Sequence, residues 1–229
     1  MKKVVLVIFL MLSVMMMGGC MFYYKKVSIK DQMMEYMSNK YEEEFKFIET
    51  TGGQLGDTQV NIYVSSESYP DYKVLVTGIK EGKNHYRYSD NYVQYLLKNQ
   101  IDEIMSEIVS SIYKDCKVYY VPKETTLPEE LDENTTVEEF FYKEGIFIKI
   151  FPTVKSDISR KDSDVETLRQ SFKEKGIKAN MTICYFFNDM FEKVTENNYQ
   201  EFLGDETSYI GRGHFVMDSS FEFIQAVWR

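Results

Sequence analysis

Apolar residues change their spacing several times along this chain, and each change marks an element. From Val4 to Tyr24 they run almost unbroken. From Ile29 they recur at Met33, Tyr36/Met37 and Tyr41, the step of a helix with one apolar face. Phe45 and Phe47 then alternate with polar residues. Val60, Ile62 and Val64 do the same, as do Tyr72, Val74 and Val76 after the Tyr69-Pro70-Asp71 turn, which predicts an antiparallel meander with one buried face. The longest helical stripe follows, Val93, Leu97, Ile101, Ile104, Ile108 and Ile112, behind a cap at Ser89 or Asp90. Val118 and Tyr120 start a strand that Pro122 stops.

Residues 123–134 break this rhythm. They carry Pro128, a cluster of Glu and Asp, and little that is apolar beyond Leu127 and Leu131, which reads as a solvated acidic linker. Beyond it, Thr136 and Glu139 are spaced as a capping box, Ile146 to Phe151 is strand-like, and Ser163 with Glu166 forms a second box before Val165, Leu168 and Phe172. Gly176 is placed as a helix C-cap. Met181 to Phe187 is the densest apolar run after the leader, the best candidate for a buried central strand. Asp189 heads a helix through Val194 and Phe202 to Gly204, and His214 to Met217 with Phe221 to Trp228 predicts a closing hairpin around Asp218-Ser219-Ser220. The class is α+β: an N-terminal hydrophobic anchor, then antiparallel or mixed sheet packed with amphipathic helices. The expected divisions are 1–24 (anchor), 27–122 (first lobe), 123–134 (linker) and 135–229 (second lobe), with one continuous mixed sheet as the alternative to two lobes.

The leader has a positive start at Lys2-Lys3, an uncharged apolar stretch and the small residues Gly18-Gly19. Met17-Gly18-Gly19-Cys20 resembles a bacterial lipoprotein box, a resemblance that implies lipidation of Cys20. Run on to Tyr24, the same stretch is about 20 residues long, enough to span a bilayer core, with Phe22, Tyr23 and Tyr24 at the interface and Lys25-Lys26 beyond. Lipid anchor, uncleaved transmembrane helix and plain secretion all remain open. The first two place the domain on the outer side of the cell membrane.

With 27 basic and 36 acidic residues the net charge is -9, and loss of Lys2 and Lys3 with the leader makes it more acidic. Such a surface repels phosphate backbones, so nucleic acid is excluded as a partner. Usage is rich in lysine and poor in arginine and alanine. The run Tyr36-Met-Ser-Asn-Lys40-Tyr41-Glu-Glu-Glu-Phe45-Lys-Phe47 resembles a group of small membrane-tethered proteins of low-GC Gram-positive bacteria, which share a helix-to-strand junction of the form K-Y-x-x-x-F-x-F. That resemblance implies location and fold and supplies no catalytic residue.

Chemistry is sparse. The spacing of Cys116 and Cys184 fits neither a zinc ribbon nor a CxxC centre; a disulfide between them is permitted outside the cell, and buried thiols are the simpler reading. Two histidines, His85 and His214, have no neighbour at metal-ligand spacing, and no motif calls for a cofactor. His85 and Arg87 sit in an aromatic-rich stretch, and Arg212 and His214 in Gly211-Arg212-Gly213-His214, whose glycines would let an anion approach; these four are the candidate ligand-binding residues. The eighteen tyrosines offer stacking platforms for glycans, although most fall in strand patterns where packing accounts for them. The function these features imply is a non-enzymatic, membrane-anchored module binding an envelope protein or a cell-wall component. The alternative is an envelope hydrolase or transferase with a site built from scattered residues.

Overall fold

The computed structural model describes residues 28–53, 57–83, 85–155 and 158–229. The anchor expected at 1–24, with Cys20, lies outside them. Among the described residues no helix is long and apolar enough to cross a membrane.

Ser28 accepts from the Asp31 N–H and starts α1 (Ile29–Tyr41), which buries Ile29, Met33, Met37 and Tyr41 as its spacing predicts. Four strands follow, β1 (Phe45–Gly52), β2 (Gln59–Ser66), β3 (Val74–Lys80) and β4 (Tyr86–Asp90), forming an antiparallel meander in chain order. The aromatic-rich stretch around Arg87 is strand β4, with His85 immediately before it. Its residues are polar because one face of this sheet is open. On the inner face Ile62 lies opposite Val76 and Val60 opposite Gly78; on the outer face Tyr63 lies opposite Leu75.

The long helix expected from residue 90 is two pieces, α2 (Val93–Leu96) and α3 (Lys98–Ser110), with a break at Leu97. Asp90 belongs to β4, and nearly every residue from 92 to 98 is buried, so a single apolar stripe does not describe this turn. β5 (Cys116–Tyr120), α4 (Val137–Tyr142), β6 (Ile148–Val154), α5 (Lys161–Glu174), β7 (Ala179–Phe186), α6 (Asn188–Phe191), α7 (Tyr199–Gly204), β8 (Tyr209–Met217) and β9 (Phe223–Trp228) complete the chain. The capping box at Thr136 and Glu139 forms. That at Ser163 and Glu166 does not, because α5 starts at Lys161 and Ser163 lies inside it. Gly176, at φ +69°, closes α5 with Ile177 N–H on Phe172 O and Gly176 N–H on Lys173 O, the double bond of a Schellman cap. The single helix expected from Asp189 to Gly204 is α6, a turn and α7.

The last five strands form one sheet in the order β5-β6-β7-β8-β9, parallel between β6 and β7 and antiparallel elsewhere. The dense apolar run is its central strand. One core joins both sheets: Met33, Val76, Ile101, Met105, Ile150, Leu168, Phe172 and Ile183 are all 0% exposed and belong to one cluster. A smaller cluster lies on the outer face of the second sheet, where Phe191, Val194 and Tyr199 cover Phe151, Cys184 and Phe186. Cys116 lies opposite Val154 and Cys184 opposite Thr153, neighbouring positions of β6 that face opposite sides, so the two thiols are free and separated by the sheet.

The acidic stretch at 123–134 is a strap, not a solvated linker. Leu127 and Leu131 are buried, Leu127 N–H donates to Asp90 O, and Asn91 and Gln94 both donate to Lys123 O. Two leucines four apart and these hydrogen bonds hold it down. The sheets also divide elsewhere than the composition does, since β5 precedes the strap and pairs with β6 beyond it.

Candidate functional site

The second sheet's outer face is only half covered by the α6–α7 segment. Where that cover ends, at Leu203, a concavity of about 390 Å³ opens, lined by Phe151, Thr182, Arg212, His214, Gln225, Val227 and Arg229. Strand register builds it. Thr182 pairs with His214, Cys184 with Arg212, and His214 with Val227, so alternation sends all these side chains outward. Arg212 and Arg229 exchange both main-chain hydrogen bonds, at 3.0 and 2.8 Å, which puts two guanidinium-bearing residues directly opposite one another.

Like charges directly opposed across strands are destabilising. Three of the five arginines have carboxylate partners: Arg87 with Glu81, Arg160 with Asp164, and Arg169 with Glu166 and Glu222. Arg212 and Arg229 have none among the described residues, in a chain where acids outnumber bases. Arg212 instead donates to Leu203 O at 2.7 Å and lies 5.6 Å from the Tyr209 ring centre. Its guanidinium is thereby held at the rim with donors to spare. The arrangement suits an anion, which two guanidinium forks would share and the Phe151, Val227 and Leu203 side chains would shield on one side.

His214 adds a third polar contact, its Nδ1 lying 3.1 Å from Thr182 Oγ1. No side-chain carboxylate lines the concavity. The nearest thiol, Cys184, is buried beneath it, and burial pushes that thiol up to about 12 against a weaker opposing pull from Arg212, so it stays protonated at neutral pH. Among the described residues no group of three His, Cys, Asp or Glu is placed to hold a metal.

Of the four residues singled out from sequence, Arg212 and His214 come together here, but not because their glycines are pliant. Gly211 and Gly213 point inward, and a Cβ on Gly213 would stand 2.5 Å from both Trp228 and Phe215. The small size of Gly213 admits those two rings on the other face, and that of Gly211 admits Ile158. His85 and Arg87 are elsewhere, at the exposed edge of the first sheet. Arg87 Nε donates to Glu81 at 2.7 Å, and His85 lies 3.7 Å from the same carboxylate with 76% of its side chain exposed. Cys20 lies outside the described residues. Sequence reading missed Thr182, Gln225 and Arg229; the alternation of β7, β8 and β9 held them, readable only once the pairing register is known.

A larger, shallower depression of about 530 Å³ runs past Gln32, Tyr36, Lys40 and Tyr88. Three of its side chains are already engaged, Tyr36 and Lys40 with Asp90 and Tyr88 with Gln32.

The fold and site describe an α+β protein with a cationic concavity on a half-covered sheet. No family model and no curated protein matches the sequence. Among solved structures the chain is similar to a DUF5037 family protein from Ruminococcus gnavus ATCC 29149, at 14% identity and a TM-score of 0.42, over 86% of this chain and 95% of that one. A likeness at that level assigns neither site nor activity.

Proposed function

We propose that this chain is a membrane-tethered, extracytoplasmic binding module that holds an anionic group of an envelope component in the Arg212–Arg229 concavity. The observation that carries the reading is the pair of guanidinium-bearing residues set face to face with no carboxylate partner among the described residues. Binding is favoured over hydrolysis because the lining offers His214 and Thr182 but neither a side-chain carboxylate to orient the imidazole nor a reactive thiol. The tether rests on the leader sequence, Lys2-Lys3, the apolar run and Gly18-Gly19-Cys20.

The two halves of the proposal are tested separately. With only two histidines, ring NMR signals of the full chain in detergent report directly on the site. Titration with sodium phosphate at constant ionic strength should move the His214 resonances and leave those of His85 in place. Arg212→Ala should weaken the response about tenfold or more, the loss of one charged bidentate contact. Equal movement of both histidines, or none, would sink anion binding at this site. For the tether, cells grown with a clickable fatty acid should label the wild type and not Cys20→Ala. Protease added to intact cells should remove the domain; protection of the domain would place it on the other side.

A further inference from the structure

The first sheet has an opening of its own, unrelated to the cationic concavity. Its outer face ends against the 67–73 turn, α2 and residues 121–124, leaving a cleft of about 390 Å³ walled by Tyr63, Tyr72, Tyr95 and Pro122. Tyr72 stacks on Tyr95 at 4.7 Å between centroids and 26° between planes. Tyr95 is buried and tied by its hydroxyl to Lys73 O at 3.2 Å, so the stack is fixed from below and Tyr72 is half-exposed above it. Lys73 Nζ lies 5.6 Å from the Tyr63 ring centre while pairing with Glu49 at 3.0 Å, which positions the opposite wall and leaves Lys73 already neutralised. Asn91 in the floor accepts from Leu75 N–H and donates to Lys123 O, which fixes its orientation.

What the cleft presents to solvent is therefore aromatic surface and two carboxylates. Asp71 and Glu124 line its exposed rim and make no hydrogen bond or ion pair among the described residues. A carboxylate accepts and never donates, so it pairs with vicinal hydroxyls or an ammonium group and repels anions. An aromatic ring face carries negative charge density, which attracts the weakly positive C–H groups on the flat side of a sugar ring. A ligand that is apolar and C–H-rich on its faces but a hydrogen-bond donor all round its edge matches both. We propose that this cleft is a pyranose-binding site for uncharged or amino sugars, with Tyr72 as the stacking platform and Asp71 and Glu124 as hydroxyl acceptors. An extended proline-rich peptide also packs on tyrosines, but it brings few edge donors for two free carboxylates, and the sugar is the better match.

Saturation-transfer NMR on the full chain in detergent, with a tetramer of β-1,4-linked N-acetylglucosamine as probe, tests this. The sugar-ring protons should receive saturation. Tyr72→Leu, which keeps apolar bulk but removes the ring, should weaken binding about tenfold, and Asp71→Asn about fivefold. Arg212→Ala should leave sugar binding unchanged, which keeps this result separate from that of the anion site. If Tyr72→Leu fails to fold, Asp71→Asn at the exposed rim decides alone. The proposal is overturned by the absence of transfer at millimolar sugar, by binding indifferent to both variants, by equal binding of a uronic-acid tetramer, or by a proline-rich peptide that displaces the sugar and binds more tightly in a Tyr72-dependent way.

Discussion

At the scale of single residues, Asp90 is the most heavily engaged group in the first half of the chain. It is 3% exposed, and its oxygens accept from Tyr41 Oη at 2.7 Å, Tyr92 N–H at 2.8 Å, Lys40 Nζ at 2.8 Å and Tyr36 Oη at 2.9 Å. Four donors fill a carboxylate's lone-pair positions. Burial, reinforced by Asp90, pushes the Tyr36 and Tyr41 phenols up out of reach of ionisation at any ordinary pH. Asp90→Ala leaves the Lys40 charge and two phenols without their acceptor, and should cost about 3–5 kcal/mol in a urea titration. Lys40→Met, which leaves Asp90 three of its donors, should cost about 1–3 kcal/mol. Equal losses from the two would mean that the ion pair, not the saturated carboxylate, carries the stability. Sequence patterning placed Lys40 and Tyr41 at a helix-to-strand junction and Asp90 at a cap, but 50 residues separate Lys40 from Asp90 and no local pattern joins them.

At the scale of elements, α5 is fastened to the last hairpin through Arg169, which donates to Glu166 at 2.6 Å, Glu222 at 2.8 Å and Phe221 O at 3.0 Å. Hydrogen bonds from Arg169 first and from Gln170 next draw Glu166 down to about 2 from an ordinary 4.5. A carboxyl lowered on folding stabilises the fold fully above its unfolded value and loses that contribution as pH falls toward its folded value. Acid unfolding followed by Trp228, the chain's one tryptophan, should therefore show Glu166→Gln less pH-dependent than wild type between about 4.5 and about 2. Identical slopes across that window would remove Glu166 from the account. The same stretch shows why a sequence motif misleads: Ser163-x-x-Glu166 has capping-box spacing, yet a 3-10 turn at Ile158–Arg160 starts the helix sooner, and Glu166 pairs with Arg169 one turn further along α5.

At the scale of the whole molecule, the strap at 123–134 and the placement of β5 bind the two sheets into one unit. Gln94, 0% exposed, accepts from Lys123 N–H at 2.7 Å and donates to Lys123 O at 2.8 Å, while β5 leaves the first half to pair with β6. A chain that folds as one body should melt in one step. Trp228 fluorescence, which reads the second sheet, and tyrosine circular dichroism, which reads both, should give coincident thermal transitions. Two separated midpoints would restore the picture of independent lobes.

Element type along most of the chain was legible in sequence because it depends on local spacing: period two in β2 and the alternation of inner and outer residues, three-to-four steps in α1 and α3, a glycine where α5 needs a left-handed residue, and a dense apolar run for the central strand. What only the tertiary structure decided are the juxtapositions. Arg229 meets Arg212, Thr182 meets His214, Tyr72 meets Tyr95 and Asp90 collects its donors through pairing register and helix packing. These bring together residues far apart in the chain, and neither periodicity nor spacing within one segment encodes them.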